Sequence, residues 1–385
     1  MGKKKKAAEF EAAAESVGLQ DELVSKYVRD LRAREQAREV ITAERAAALY
    51  TQPPGMESLE QLLKKDRPPL KYTIEDLHPL GSNTLIAAQY KVGKTMLMAN
   101  LAKAYADGDR FLGEFPMNPG GGRLAVFNYE LNEDMLIDQY LKPMGIVNSD
   151  RIVVWNLRGR NFDLRSRDAF NDAVRWLKKM GCDAIIMDPF GAAARLQNEN
   201  DNSEARNWLL GCLDPLKYEA GIQDLWMPAH TGRGEAEEGG EHVRGASSVD
   251  DWADVRWLYT KAMVSGADGT AQMQRFLSAR NSRGVDVGER QIDFDKDDNM
   301  LYVLKAHSRA QARSAGASHQ ALRTVADSPG INSTALRAAM DGDTKVRNAG
   351  IKAAVSNGWI RVEAGPNRSS LHSITEAGSK VLGAR

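Results

Sequence analysis

The stretch that decides the fold is LIAAQYKVGKTMLMANLAKAYADG, residues 85–108. Its apolar start predicts a buried strand and its second half an amphipathic helix, so the loop ending Gly93-Lys94-Thr95 joins a strand to a helix. Such a loop binds phosphate: its N–H groups face the anion, Lys94 neutralises the β and γ oxygens, and the Thr95 hydroxyl can bind Mg²⁺. We expect ATP and Mg²⁺ as ligands, with nucleotide contacts from Ala88, Gln89, Tyr90, Lys91, Val92, Gly93, Lys94, Thr95 and Met96.

The loop departs from the usual pattern at its start, where Ala88 replaces the first glycine. Alanine is still small enough for a tight turn. Lys91 either adds a phosphate contact or is a solvated loop lysine. The alternative for the whole motif is a Gly-Lys-Thr that begins an ordinary helix, and the strand before it favours the phosphate loop.

Two carboxylates follow apolar runs and complete the chemistry that hydrolysis requires. Asp188 ends the run Ala184–Met187, and Glu130 ends the run Leu124–Tyr129. Carboxyl ends of parallel strands meet at the edge of the sheet where ligands bind. We therefore expect Asp188 to join Thr95 at Mg²⁺ and Glu130 to orient the attacking water, unless Glu130 merely caps a helix.

Short apolar runs alternate with helical stretches through the centre of the chain, which predicts a mainly parallel sheet. Later runs are closely spaced and predict an antiparallel extension of that sheet. One α/β domain then covers residues 70–306. The predicted strands are Thr84–Ala88, Leu124–Tyr129, Ile152–Trp155, Ala184–Met187, Asp224–Met227, Val255–Thr260, Arg275–Ser278, Ile292–Phe294 and Leu301–Leu304.

Further segments flank this domain. Apolar residues at helical spacing predict a long amphipathic helix within residues 20–50, and Pro53-Pro54-Gly55 breaks it, so residues 1–69 form a helical segment with a linker. Residues 307–318 are small, polar and basic and are interpreted as a linker. The sequence of residues 319–385 has the pattern of a winged helix-turn-helix, three helices followed by two strands. The predicted helices are Gln320–Ala326, Ser333–Met340 and Thr344–Ser356, and the predicted strands are Trp359–Val362 and Leu371–Ile374.

Composition limits the function classes. Of 385 residues, 42% are hydrophobic and 27% charged, which excludes a mostly disordered chain, and no apolar run is long enough for a membrane helix. The 52 basic and 52 acidic residues balance, but residues 308–385 carry eleven Lys and Arg against five Asp and Glu, so this tail is the electrostatic candidate for nucleic acid. Only Cys182 and Cys212 are present, which indicates a reducing, cytoplasmic location. The lack of a long apolar run predicts no membrane partner.

A series of motifs in one order is more specific than the phosphate loop alone. The motifs are AQYKVGKT, FLGEF, NYEL with Glu130, MDPF with Asp188, ENDNSEA, AHTGR with His230, and RGASSVDDWAD. With them the chain resembles RecA-like ATPases of the type found in plasmid replicative helicases called RepA. The resemblance covers residues 70–306 and implies a RecA-like fold, ATP hydrolysis between subunits, single-stranded DNA as the track, and self-association as a ring or filament, with a hexamer expected.

The resemblance also implies roles for residues outside the phosphate loop. His230 stands where the family senses the γ-phosphate, or is a hydrogen-bonded histidine at a strand end. Arg280 and Arg283 lie where the family carries a basic pair that enters the neighbouring subunit's ATP site. Their Arg-x-x-Arg spacing is one residue wider than usual, so which of the two acts as the arginine finger in the neighbouring site stays open. The alternative for either residue is an ordinary surface arginine.

DNA contact is expected from two regions. Loops after the Asp188 and Met227 strands would face a central pore, and their candidates are Arg195, Arg233 and Arg244, of which Arg244 can instead serve the nucleotide. The tail would contact single-stranded or double-stranded DNA through its third helix and wing, unless this module docks protein. The tail candidates are Lys345, Arg347, Asn348, Lys352 and Arg368.

The sequence thus predicts an α/β protein: a RecA-like P-loop domain with a mainly parallel sheet, an N-terminal helical segment and a C-terminal winged helix-turn-helix. The expected function is an ATP-hydrolysing DNA motor, and the more specific prediction is a replicative helicase of a phage or plasmid replication system. The rivals are a recombinase or helicase loader that assembles on DNA with ATP, and a DNA-binding regulator switched by ATP. Retention of Glu130, Asp188 and an arginine pair speaks against a regulator with a dead site.

Overall fold

The computed structural model describes residues 21–48, 52, 55–66, 70–197, 201–231, 247–265, 270–305 and 308–383. The chain divides into two compact units, with the boundary between residues 67 and 68. The first unit contains helix α1 (Asp21–Ala48) and helix α2 (Leu59–Leu63). Alanine, arginine and glutamate, all strong helix formers, are frequent in α1. Ser58 begins α2 with a capping box that includes Gln61.

The second unit begins with two short strands and continues as an α/β domain. Its strands are β1 (Tyr72–Ile74), β2 (His78–Pro79), β3 (Asn83–Ala88), β4 (Arg123–Asn128), β5 (Ile152–Asn156), β6 (Cys182–Asp188), β7 (Asp224–His230), β8 (Val255–Ser265), β9 (Ala271–Ser282), β10 (Val285–Phe294) and β11 (Leu301–Lys305). Its helices are α3 (Lys94–Asp107), α4 (Arg167–Met180), α5 (Phe190–Ala194), α6 (Asn202–Trp208), α7 (Asp214–Ala220) and α8 (Ser247–Trp252). Met135–Leu141 and Leu209–Leu213 are π-helical, and Lys142–Met144 and Ser149–Arg151 are 3₁₀ turns.

A nine-stranded sheet runs in the order β11-β10-β9-β8-β3-β7-β6-β4-β5. Strands β5, β4, β6, β7, β3 and β8 pair in parallel, whereas β8 through β11 pair antiparallel. This confirms the predicted mixed α/β sheet and its antiparallel extension. The predicted strands are all present, and several extend beyond their predicted ends.

The sheet is covered on both faces because neighbouring residues of a strand point to opposite sides. Leu85 and Ile86 of β3 are both fully buried, each in a different core. Ile86 shares its core with Leu97 and Leu101 of α3, and Leu85 shares the other with Leu177 of α4. Each such buried side chain contributes about 1.5–3 kcal/mol to folding. The strand that precedes the phosphate loop is therefore fixed from both sides.

The C-terminal part of the second unit has its own small core and sheet. Its elements are α9 (Arg309–Asp327), β12 (Ile331–Asn332), α10 (Ser333–Ala338), α11 (Thr344–Ser356), β13 (Ile360–Ala364), the 3₁₀ turn Pro366–Arg368, β14 (Ser370–Ile374) and α12 (Glu376–Gly383). The strands order as β12-β14-β13, all antiparallel. Leu322, Leu336, Ala354 and Ile360 form the centre of the core. The sequence did not predict β12, which is only two residues long, or α12.

The interpretation of residues 307–318 as a linker is wrong for residues 309–318, which form the first half of α9. Ser308 caps this helix in a capping box with Gln311. Arg309 forms a buried ion pair with Glu289, its Nε 2.7 Å from Oε1. Ala312 packs against Phe276 of β9 and residues of β8. Small residues that looked like linker composition instead permit close packing of α9 on the antiparallel strands.

Candidate functional site

Four strand ends bring the predicted catalytic residues to one edge of the sheet. Parallel pairing aligns Ala88 of β3 with His230 of β7, and Asn128 of β4 with Asp188 of β6. The strands run in the same direction, so these residues all lie at carboxyl ends. The phosphate loop, Asp188, His230 and the turn that holds Glu130 are consequently neighbours.

The loop between β3 and α3 has the backbone that a phosphate cradle requires. Gly93 adopts φ +100° directly before the first residue of α3. A side chain is strained at that angle, which explains why glycine stands there. Lys91 also has positive φ, at 55°. The first turn of α3 carries Lys94 and Thr95, so the positive end of the helix dipole and both side chains serve the same small region.

The antiparallel extension holds this loop in place, a feature that sequence reasoning missed. The Gln89 N–H donates to the carbonyl of Tyr259 on β8 at 3.1 Å, and the Gln89 side-chain oxygen accepts the N–H of Lys261 at 2.8 Å. Arg275 on β9 donates from Nε to the carbonyl of Val92 at 2.9 Å. Arg275 begins a predicted strand, but no local pattern indicates its long-range partner. These contacts tie the loop to the antiparallel strands.

Lys94 is confined within the site. Lys94 is 8% exposed, and its Nζ lies 3.1 Å from Nδ1 and 3.3 Å from Nε2 of His230. Burial lowers the pKa of Lys94, while the negative charges of Glu130 and Asp188 oppose that shift. A buried ammonium gains strongly from an incoming anion, because the anion replaces the water that burial removed. Lys94 is therefore suited to phosphate.

Asp188 is an unusual carboxylate in the same site. Its residue is 6% exposed, and its Oδ2 accepts a long hydrogen bond of 3.4 Å from the Thr95 hydroxyl. Its Oδ1 is buried and has no hydrogen-bond partner among the described residues. Burial and the charge of Glu130 raise the pKa of Asp188 to about 7, although Lys94 opposes the rise.

This pair of oxygens fits a divalent cation. Mg²⁺ prefers hydroxyl and carboxylate oxygens and keeps several waters, so one hydroxyl and one carboxylate with a free buried oxygen are an adequate protein contribution. A bound cation would also satisfy the Asp188 Oδ1 that otherwise has no partner. Within the described ranges, no group of three or more His, Cys, Asp or Glu side chains forms a separate metal cluster.

Glu130 lies in an exposed turn after β4, and Asn128 shapes that turn. The Asn128 side chain donates to the carbonyl of Leu131 at 2.8 Å and accepts the Leu131 N–H at 2.9 Å. It also donates to the Asn156 side chain at 2.9 Å. Asparagine commonly builds such turns, and its position at a strand end is the signal that could have identified it. The turn leaves Glu130 accessible to water beside Lys94 and Asp188.

Arg283, one of the two predicted arginine fingers, has its described ion pair outside this group of residues. Arg283 follows β9 and pairs with Asp254 of its own chain, with Nη1 3.0 Å from Oδ1, and its side chain is exposed. Arg280 belongs to β9, but its side chain lies outside the described part of the chain. Neither residue is joined to the phosphate loop by a described contact.

The predicted DNA residues occupy three places. Arg195 follows α5 and is exposed, while Arg233 and Arg244 lie outside the described residues. Lys345, Asn348 and Lys352 are exposed at spacings that share one face of α11, and Arg368 is exposed in the β13–β14 connection. Arg347 on α11 is half-buried, and its Nε has no hydrogen-bond partner among the described residues. Asn348 accepts a hydrogen bond from Arg337 at 2.7 Å.

Comparison with known families gives one finding. Residues 51–236 match a family model described as an AAA domain. No curated protein matches the chain. None of the helices in the described ranges has the length and apolar character needed to cross a membrane.

The matched segment contains the phosphate loop, Glu130, Asp188 and His230, which are the residues that the sheet brings together. Its architecture is a mainly parallel sheet with a strand, loop and helix that present a lysine and a hydroxyl to a buried carboxylate. Residues 51–236 are therefore similar to an AAA domain, and their mainly parallel sheet and phosphate loop are consistent with a P-loop ATPase.

Proposed function

We propose that this chain is an ATP-hydrolysing RecA-like DNA motor, a replicative helicase of the plasmid RepA type from a phage or plasmid system. The observation that carries the proposal is the meeting of Lys94, Thr95, Asp188, Glu130 and His230 at the carboxyl ends of adjacent strands. Structural ion pairs alone do not account for a carboxylate with an unpartnered buried oxygen beside a buried lysine.

Each residue has a part in hydrolysis. The loop N–H groups and Lys94 would hold the phosphates, and Thr95 and Asp188 would hold Mg²⁺, which would neutralise developing charge on the phosphate oxygens. Glu130 orients the attacking water from its exposed turn, since that turn leaves room for water near Lys94. His230 contacts Lys94 and would exchange this contact for the γ-phosphate.

Arg280 and Arg283 are proposed to complete the site of a neighbouring subunit in a ring or filament, with a hexamer expected. The contact between Arg283 and Asp254 is an ion pair whose arginine side chain is 78% exposed. Such pairs contribute little stability, so Arg283 can leave Asp254 at small cost when a neighbour binds. The resemblance to RecA-like helicases is what supports the assignment in trans.

The C-terminal module is proposed to be a winged helix that binds DNA. Its element order, helix, strand, two helices, two strands and a final helix, supports this proposal, because a winged helix also places two strands after its helices. The exposed face of α11 carries Lys345 and Lys352, and Arg368 lies on the connection that would be the wing. The module has a net positive charge, which favours nucleic acid over most protein partners.

A cytoplasmic location is part of the proposal. Cys182 and Cys212 are both free and buried, as expected in a reducing compartment.

Strand displacement tests the specific function. A forked duplex with one labelled strand is incubated with the protein, ATP and Mg²⁺, and release of the strand is followed. Glu130→Gln is the matched control because glutamine keeps the shape of the side chain and removes its charge. ATP-dependent release by the wild type alone supports a helicase. ATP-dependent binding without release would indicate a loader or recombinase instead.

A further inference from the structure

A cleft of about 370 Å³ opens at the carboxyl edge of the sheet, next to the turn that carries Glu130. It lies between the end of β4, the loop after β5 and helix α5. The residues that matter for its chemistry are Tyr129, Arg160, Asn161, Phe162 and Arg195. Tyr129 directly precedes Glu130 in the chain, so the cleft adjoins the ATP site without being part of it.

The cleft carries excess positive charge. Arg160 is exposed, and its guanidinium has no hydrogen bond or ion pair with the described residues. Arg195 donates from Nη1 to the Asn161 side chain at 2.7 Å, a neutral partner, and its charge also helps to lower the pKa of Asp163. The nearby acids are already paired, because Arg165 contacts Asp163 at 3.0 Å and Glu204 at 3.4 Å. An anion would therefore be attracted to Arg160 and Arg195.

The position of Arg195 is fixed. Its backbone adopts φ 47°, ψ 46°, a left-handed conformation that a residue with a long side chain rarely takes. The Arg165 guanidinium donates to the Arg195 carbonyl at 3.2 Å and thereby helps to hold it. A strained backbone of this kind persists only where the surrounding structure imposes it, and such residues are common in segments that hold ligands.

The aromatic wall of the cleft contains a polar group without a partner. The Tyr129 hydroxyl is buried and has no hydrogen bond among the described residues. Burial and the charge of Asp163 raise the pKa of Tyr129, so this group stays protonated and can donate. Phe162 adds a second ring. Aromatic rings beside arginines are the combination that binds single-stranded nucleic acid, since bases stack on the rings and phosphates pair with the guanidinium groups.

We propose that this cleft binds one nucleotide unit of a single-stranded nucleic acid, with its phosphodiester at Arg160 and Arg195 and its base or sugar against Tyr129 and Phe162. The inference rests on the proposed DNA motor and locates a strand contact beside the catalytic turn. The volume is within the range of small-ligand sites and is suitable for one nucleotide.

The test measures binding of fluorescein-labelled oligothymidylate in the presence of a non-hydrolysable ATP analogue, across a salt series. Arg160→Ala with Arg195→Ala should weaken binding about tenfold or more, and should reduce the slope of log affinity against log salt by about 1.4, at about 0.7 for each lost phosphate contact. The matched control is Arg175→Ala with Lys178→Ala, which removes the same charge from the exposed surface of α4. The control should bind as the wild type does.

Tyr129→Phe gives an independent readout. Removing a hydroxyl that has no partner should leave thermal stability unchanged or raised, yet should reduce oligothymidylate affinity severalfold. A loss of stability with unchanged affinity would assign Tyr129 a merely structural role and contradict the proposal.

The outcomes separate this inference from the proposed function. If the wild type binds oligothymidylate and the Arg160 and Arg195 double variant binds it equally well with the same salt slope, the cleft proposal fails and the DNA motor does not. If the wild type binds no single strand at all, the DNA motor fails and the cleft proposal with it. Titration with inorganic phosphate covers the other source of the anion: loss of phosphate binding in the double variant without loss of oligothymidylate binding would make the cleft a free-phosphate site and overturn the proposal.

Discussion

Replacing Asp188 by asparagine should stabilise the nucleotide-free protein while it abolishes ATP hydrolysis. Asp188 is 6% exposed, and burial with the charge of Glu130 raises its pKa from 3.8 to about 7. Ionised Asp188 therefore destabilises the folded state, and asparagine has nearly the same shape without the charge. The hydrolysis defect follows because asparagine is a poor Mg²⁺ ligand.

The magnitude follows from the pKa difference. A rise of about 3 pKa units at 1.36 kcal/mol each corresponds to up to about 4 kcal/mol. Between about pH 4 and pH 7 the folded state holds a proton that the unfolded state has lost, so wild-type stability falls as pH rises through this window. Above about pH 7 Asp188 is ionised in both the folded and the unfolded state, so the loss of stability from its buried charge is complete. The stability difference between Asp188→Asn and wild type should thus be near zero at pH 4 and reach its maximum at pH 8.

Thermal unfolding followed by circular dichroism, with chelator and without nucleotide, measures this difference. For a domain of this size the maximum corresponds to roughly 10 °C in Tm. Asp183→Asn is the matched control at the opposite end of β6, where the carboxylate accepts hydrogen bonds from Tyr105 and the Gly122 N–H. That variant should be destabilised. An Asp188→Asn protein that is less stable than wild type at pH 8, or a difference that does not change with pH, would refute the reasoning.

The remaining predictions concern turnover, assembly and DNA. Glu130→Gln should keep ATP bound while hydrolysis falls by about 10² or more, whereas Lys94→Ala should weaken both, as measured by nucleotide titration and phosphate release; near-normal turnover in Glu130→Gln rejects its role. A protein with both Arg280→Ala and Arg283→Ala should be nearly inactive alone and partly rescued when mixed with Lys94→Ala protein, because mixed interfaces pair an intact site with an intact finger; subunit exchange without rescue argues against action in trans. Lys352→Ala should weaken duplex-DNA binding and make the salt slope shallower by about 0.9; an unchanged slope would assign the C-terminal module to protein docking.

Local sequence patterns were sufficient for the central sheet because its strands are continuous apolar runs that end in chemically distinctive residues. Asp188 and Glu130 could be placed at one edge from the parallel arrangement alone. The phosphate loop could be placed too, since the strand before it and the helix after it both have strong periodicity.

Long-range contacts could not be predicted in this way. The contact of Arg275 with the Val92 carbonyl joins residues 183 positions apart, and nothing near Arg275 in sequence indicates it. The start of α9 was misassigned because alanine, glycine and serine carry little hydrophobic signal, although their small size is what allows Ala312 to pack against Phe276. Glu289 likewise looks like a surface residue until its buried partner Arg309 is known.

The most direct test of the account is the rate of ATP hydrolysis with and without single-stranded DNA, measured beside the mass of the ATP-bound protein. The account predicts Mg²⁺-dependent hydrolysis that single-stranded DNA accelerates, from an assembly of several 42.4 kDa subunits. A protein that binds ATP but does not hydrolyse it, or a monomer that hydrolyses at full rate and ignores DNA, would contradict the account.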